Sequence, residues 1–120
     1  MTKVNNREDI CIVQKETFEW IVDIIDEADG TDVDLTSVNS ITLQAKKFAE
    51  DDVVVIDLGL GSGITVSSPL TGEVTVLISS DDTAELSFKQ LHYDLFYSLD
   101  GSSFKKYKQG IIRLEKSITT

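Results

Sequence analysis

Apolar and polar side chains alternate along much of this chain. From Ser40 to Lys47, Ile41, Leu43 and Ala45 take every second place, with Thr42, Gln44 and Lys46 between them. Successive side chains of an extended backbone point to opposite faces, so this pattern builds a strand with one apolar and one wet side. A helix would scatter the same residues around its circumference. Leu91, Tyr93, Leu95, Tyr97 and Leu99 repeat the pattern, as do Phe18, Trp20, Val22 and Ile24 against Glu19 and Asp23. Ile21 and Ile25 interrupt the polar side of the latter segment (Thr17 to Ile25), which points to cover on both faces there.

The remaining segments are short and punctuated by turn residues. Asp9 to Gln14, Val53 to Leu58, Ile64 to Ser67, Glu73 to Ser79 and Phe104 to Leu114 read as further strands. Between them lie Glu50-Asp51-Asp52, a flexible connection at Gly59, Gly61 and Gly63, the turn Pro69 to Gly72, and Asp100-Gly101, a strong hairpin signal. Gly110 suggests a bulge. Residues 80–86, SDDTAEL, break the period: Ser80 or Asp81 can cap one or two helical turns. The sum is an all-β, antiparallel chain of about eight strands with one short helical turn, closing its core as a two-sheet sandwich or a barrel. The expected organisation is a mobile N-terminus over 1–8 and a single domain over 9–120.

At 120 residues the chain can build one core, and its charge of −10 narrows the choice of partners. Nucleic acid is a poor one, because phosphate contacts need Lys and Arg. The basic residues are scattered, and the densest group is Lys105, Lys106 and Lys108. No apolar run approaches the ~20 residues of a spanning helix, so no membrane partner is expected. The N-terminus MTKVNNREDICIV carries charges where a signal peptide needs an apolar centre, so folding in a cytoplasm is expected. Cys11 stands alone between Ile10 and Ile12, which suggests a buried small hydrophobe.

The chemistry-bearing residues form no recognised catalytic pattern. GLGSG, residues 59–63, lacks the spacing and the following helix of a dinucleotide site. His92 is the only histidine, on the strand face opposite the tyrosines, and no serine sits in a nucleophile elbow. No enzyme activity and no cofactor are therefore expected. The acidic loop 26–34 could hold calcium in an irregular site through Asp26, Asp29, Asp32 and Asp34, although the helix-loop-helix calcium template fails on its spacing. Trp20, Tyr93, Tyr97, Phe104 and Tyr107 could stack on a sugar if exposed, but their period-two spacing favours the core. A saccharide-binding module, calcium-dependent through loop 26–34, is thus the alternative reading.

The order of the signals is more specific than any one of them. Asp34-Leu35-Thr36 precedes ITLQAKK; then come GSGITVSSPLTGEVTVLIS (61–79), DDTAEL (81–86) and LHYDLFYSLDGSSFKKYKQGIIRLEKSIT (91–119). This order resembles a group of small immunoglobulin-like β-sandwich proteins of tailed bacteriophages and prophages. The resemblance implies a non-enzymatic virion component, associated with the tail or baseplate and made in the host bacterial cytoplasm. Its implied partners are other phage structural proteins, with self-association as a further possibility. Sandwich edges can accept a strand from a neighbour. A charge of −10 would keep free subunits apart until a complementary, basic partner captures them.

Overall fold

The computed structural model describes residues 7–26, 30–48, 50, 53–84 and 90–115. The alternating segments become β1 (Ile10–Val13), β2 (Phe18–Asp23), β3 (Ser40–Lys46), β4 (Ile56–Leu60), β5 (Gly63–Ser68), β6 (Glu73–Ile78), β7 (Gln90–Ser98) and β8 (Lys105–Glu115). A 3-10 turn, Pro69–Thr71, joins β5 to β6, and helix α1, Ser80–Ala84, follows β6. In β3 the expected faces hold: Ile41, Leu43 and Ala45 are buried while Thr42, Gln44 and Lys46 are partly exposed.

Hydrogen bonding runs in the order β1-β8-β7-β3-β4-β5-β6-β2. Its weakest join is β4 to β5, where only Gly59 with Gly63 and Leu60 with Ile64 pair. The sheet folds over there, giving one layer of β1-β8-β7-β3-β4 and a second of β5-β6-β2. Two contacts span the layers. The rings of Trp20 on β2 and Tyr93 on β7 meet edge to face, 5.7 Å between centroids. The Tyr107 hydroxyl on β8 donates to the Asp23 carbonyl at the end of β2, 2.7 Å. Between the layers lie Val22, Ile64, Val74, Val76 and Ile78 from one side and Leu43, Leu91, Leu95 and Ile112 from the other. Each such side chain contributes about 1.5–3 kcal/mol when fully buried.

The chain is therefore an immunoglobulin-like β-sandwich, and the strand order says so. Strands β2, β6 and β5 adjoin as B, E and D do in that fold, and β8, β7, β3 and β4 as G, F, C and C′. Antibody domains tie B to F with a disulfide. Here Trp20 and Tyr93 link the corresponding strands by ring packing, since Cys11 is the sole cysteine. Two pairings, β1 with β8 and β4 with β5, are parallel rather than antiparallel. Side-chain alternation is the same in either direction, so the pattern carries no sign of this.

Several local expectations change. Gly110 is not a bulge: it pairs in register with Tyr93, and the extra residue in β8 is Tyr107, between Lys106 (opposite Phe96) and Lys108 (opposite Leu95). The glycine serves close approach, because a Cβ there would strike the Glu8 carbonyl. Of the segment expected to be mobile, residues 1–6 lie outside the described residues, but Arg7 and Glu8 are held. Arg7 bridges Gln109, the Glu8 amide donates to the Gln109 carbonyl (2.9 Å), and the Tyr93 hydroxyl donates to the Glu8 carbonyl (2.5 Å).

Cys11 is exposed, not buried, and its thiol donates to the Glu115 carboxylate, 3.0 Å. That bond, with slight desolvation and the carboxylate's charge, raises the thiol above its ordinary value and disfavours the reactive thiolate. The helix begins one residue early. Ser79 caps it reciprocally with Asp82, each side chain accepting from the other's amide. The glycines of 59–63 form a tight corner, in which the Gly59 and Ser62 amides donate to each other's carbonyls.

Candidate functional site

Three connections meet at one end of the sandwich: residues 24–26 with 30–39, 69–72 and 99–104. Backbone hydrogen bonds hold them together. The Leu35 amide donates to the Pro69 carbonyl (2.8 Å), Ile24 to Gly72 (2.8 Å), and Asn39 to Ser98 (2.9 Å). Leu35 is buried beneath them. Gly72, with φ of 72°, lets the chain pass where a Cβ would strike the Ile24 carbonyl.

Two aspartates rigidify these loops. Asp34 Oδ1 accepts from the Thr36 hydroxyl (2.6 Å) and the Thr36 amide (2.9 Å). Asp100 Oδ1 accepts from the Ser103 amide (2.8 Å), the Ser102 amide (2.9 Å) and the Ser98 hydroxyl (3.3 Å). Hydrogen bonds to the ionised form favour it, so both carboxyls sit below their ordinary range. For Asp34 the Thr36 hydroxyl is the main cause; for Asp100 it is the backbone amides of Ser103 and Ser102.

The candidate calcium ligands fall in the first of these loops. Asp26, Asp32 and Asp34 are exposed, while Asp29 lies outside the described residues. Asp26 shapes a turn through its backbone, its amide donating to Thr31 and its carbonyl accepting from Gly30. Asp32 pairs with Ile25 in an isolated bridge. The Asp34 carboxylate is engaged with Thr36. Among the described residues, no three His, Cys, Asp or Glu side chains are gathered as a metal site would need. His92 is half-buried on the outer face of β7, opposite Lys46.

Of the aromatic residues, Trp20, Tyr93, Tyr97 and Tyr107 are core, but Phe104 is 61% exposed. Leu99, expected on the tyrosine face, is 48% exposed, with Ser98 buried in its stead. Leu70 on the 3-10 turn is 72% exposed. These three large apolar side chains come from two different connections at the same end. The alternation does not mark them as a group, although each sits beside a turn residue, Pro69, Asp100 or Ser103.

Two concavities lie there among the described residues. One of about 220 Å³ is lined by Asp34, Thr36, Ser37 and Leu99. Another of about 210 Å³ is lined by Tyr97, Leu99, Asp100, Ser103 and Lys105. A third, about 180 Å³, lies on the outer face of β3, β7 and β8 beside Lys46, His92 and Asp94. Small-molecule sites commonly enclose roughly 300–1,000 Å³.

No protein-family model matches the sequence, and no curated protein matches it. Among solved structures, the chain is similar to one from a study of "multimeric cell-adhesive interactions of VGSC beta subunits". The identity is 10%, the match covers 98% of this chain and 97% of that one, and the TM-score is 0.40. The fold class rests on the strand order and the two-layer packing.

Proposed function

We propose that this protein is a non-enzymatic structural or assembly subunit of a tailed bacteriophage or prophage virion, associated with the tail or baseplate. It works through contacts with other virion proteins. The order of motifs over residues 34–119 supports the phage origin. The observation that carries the contact role is the loop end, where Leu70, Leu99 and Phe104 stand exposed on connections at the same end as Asp34 and Asp100, and Leu99 borders both aspartates. Apolar side chains rimmed by polar ones are a common form of protein-contact surface. The locked Asp34 and Asp100 turns lower the cost of ordering this surface on binding.

Mass spectrometry of purified virions and of tail-assembly intermediates tests this. The chain is expected in one or both, and cross-links from loops 69–72 and 99–104 are expected to reach another virion protein. Absence from both kinds of particle overturns the proposal.

A further inference from the structure

We propose that the open edge of β2, Phe18–Asp23, pairs with an extended strand of a partner protein that carries Lys or Arg at alternate positions. This rests on the contact role proposed above and names the chemistry of the partner. β2 ends the strand order and pairs with β6 alone among the described strands. Its register with β6 runs unbroken over six pairs, Phe18 with Ile78 through Asp23 with Glu73.

The other edges are blunted. β1 has only four residues. The pairing of β5 with β6 slips between Val66 and Ser68, and Pro69 follows. β4 is open only over Ile56–Leu58, beyond its short join to β5. Natural edges are commonly guarded by Lys, Pro, bulges or shortness, and β2 shows none of these. It also presents Ile21, 59% exposed, towards solvent.

Charge selects the occupant. The outer face of β2 carries Glu19 and Asp23, and Asp23 lies directly opposite Glu73 of β6. Like charges across a ladder destabilise it, and a cation in the next strand relieves them. The three strands of this layer, FEWIVD, GITVSS and EVTVLI, contain no Lys or Arg. A second copy of this chain is a poor occupant. Antiparallel pairing of two β2 strands centred on Ile21 would set Glu19 against Asp23 at both ends. Parallel pairing in register would set each acid against itself.

The test uses the full chain and two labelled peptides, one alternating Lys with Val and one alternating Glu with Val. Fluorescence anisotropy reads affinity, and amide hydrogen exchange reads protection at residues 18–23. The Lys peptide is expected to bind and to slow exchange there, and the Glu peptide is not. The double variant E19K/D23K should weaken binding of the Lys peptide by about tenfold. D57K on the exposed outer face of β4 should change it by less than about threefold, as a screened long-range effect. Circular dichroism confirms that both variants keep the wild-type fold.

Equal losses from the two variants, or binding without protection of 18–23, overturn the edge proposal, as does a homodimer that protects β2. Virion composition is read separately. A chain present in virions whose β2 ignores the Lys peptide removes this inference and leaves the virion role. A chain absent from virions and assembly intermediates whose β2 takes the peptide does the reverse.

Discussion

The two layers of the sandwich share one core yet differ in surface charge. The strands of the five-stranded layer carry Lys46, Lys105, Lys106, Lys108 and Arg113 against Asp57, Asp94 and Glu115. Part of its charge is neutralised in place: Lys106 pairs with Asp94 at 3.4 Å and Lys108 with Glu8 at 2.8 Å. The three-stranded layer has Glu19, Asp23 and Glu73 and no basic residue in its strands. The net charge of −10 is therefore unevenly spread. The exposed Lys106–Asp94 pair adds little to stability, typically about 0–1 kcal/mol. The difference between the layers thus concerns what each surface can meet more than how firmly it folds.

The largest expected effect tests whether the layers are one cooperative unit. Trp20→Ala removes the ring that spans them and should cost about 3–5 kcal/mol in chemical denaturation. Leu43→Ala, within the five-stranded layer, should cost about 2–5 kcal/mol. Both should shift a single transition. Two transitions in the Trp20 variant would mean that the three-stranded layer melts by itself.

Glycine substitutions separate the loop end from the N-terminal attachment. Gly72→Ala combines a left-handed backbone with a Cβ driven at the Ile24 carbonyl, so a loss of about 1–3 kcal/mol is expected. Gly110→Ala instead strikes Glu8. Its mark should be faster amide exchange at Glu8, with the strands of the three-stranded layer unaffected. Tyr93→Phe keeps the ring contact with Trp20 and removes the bond to the Glu8 carbonyl. A loss of about 1 kcal/mol is expected, again with Glu8 exchanging faster.

The smallest effect is in the loops and depends on pH. Asp34 and Asp100 bind protons less readily folded than unfolded, because hydrogen bonds favour their ionised forms. Their contribution is intact above the unfolded value, near ~3.9, and is lost as pH falls through the lower folded values. Amide exchange at Thr36, Ser102 and Ser103 should therefore quicken in acid before the β3 core does. In Asp34→Asn and Asp100→Asn that acid step should vanish at the corresponding loop.

Much of the fold was legible because alternation reports directly on which face is buried. Ile41, Leu43, Ala45, Leu91, Tyr93 and Leu95 are all core, as their spacing requires. The Asp100-Gly101 turn and the helical turn after β6 were also readable, since their residues act on the backbone next to them. Residues whose environment comes from distant parts of the chain were not. Cys11 looked buried among Ile and Val, yet its face of β1 meets solvent and Glu115. Gly110 looked like a bulge, but its reason is the passage of Glu8, about a hundred positions away in sequence. Of the candidate site, the acids of loop 26–34 were visible as a cluster. The grouping of Leu70, Leu99 and Phe104 at one end was not.

The sequence by itself determined that this chain is built from strands with one apolar face, because side-chain direction follows the local backbone. It also determined an excess of negative charge. Only the tertiary structure decided that β1 and β5 run parallel to their partners β8 and β4, and that β2 pairs with β6 alone among the described strands. Only it decided that the lysines of β3 and β8 share one layer while the other keeps carboxylates alone. The physical reason is that pairing direction, strand order and surface charge depend on contacts between segments far apart in the chain, and alternation is blind to these.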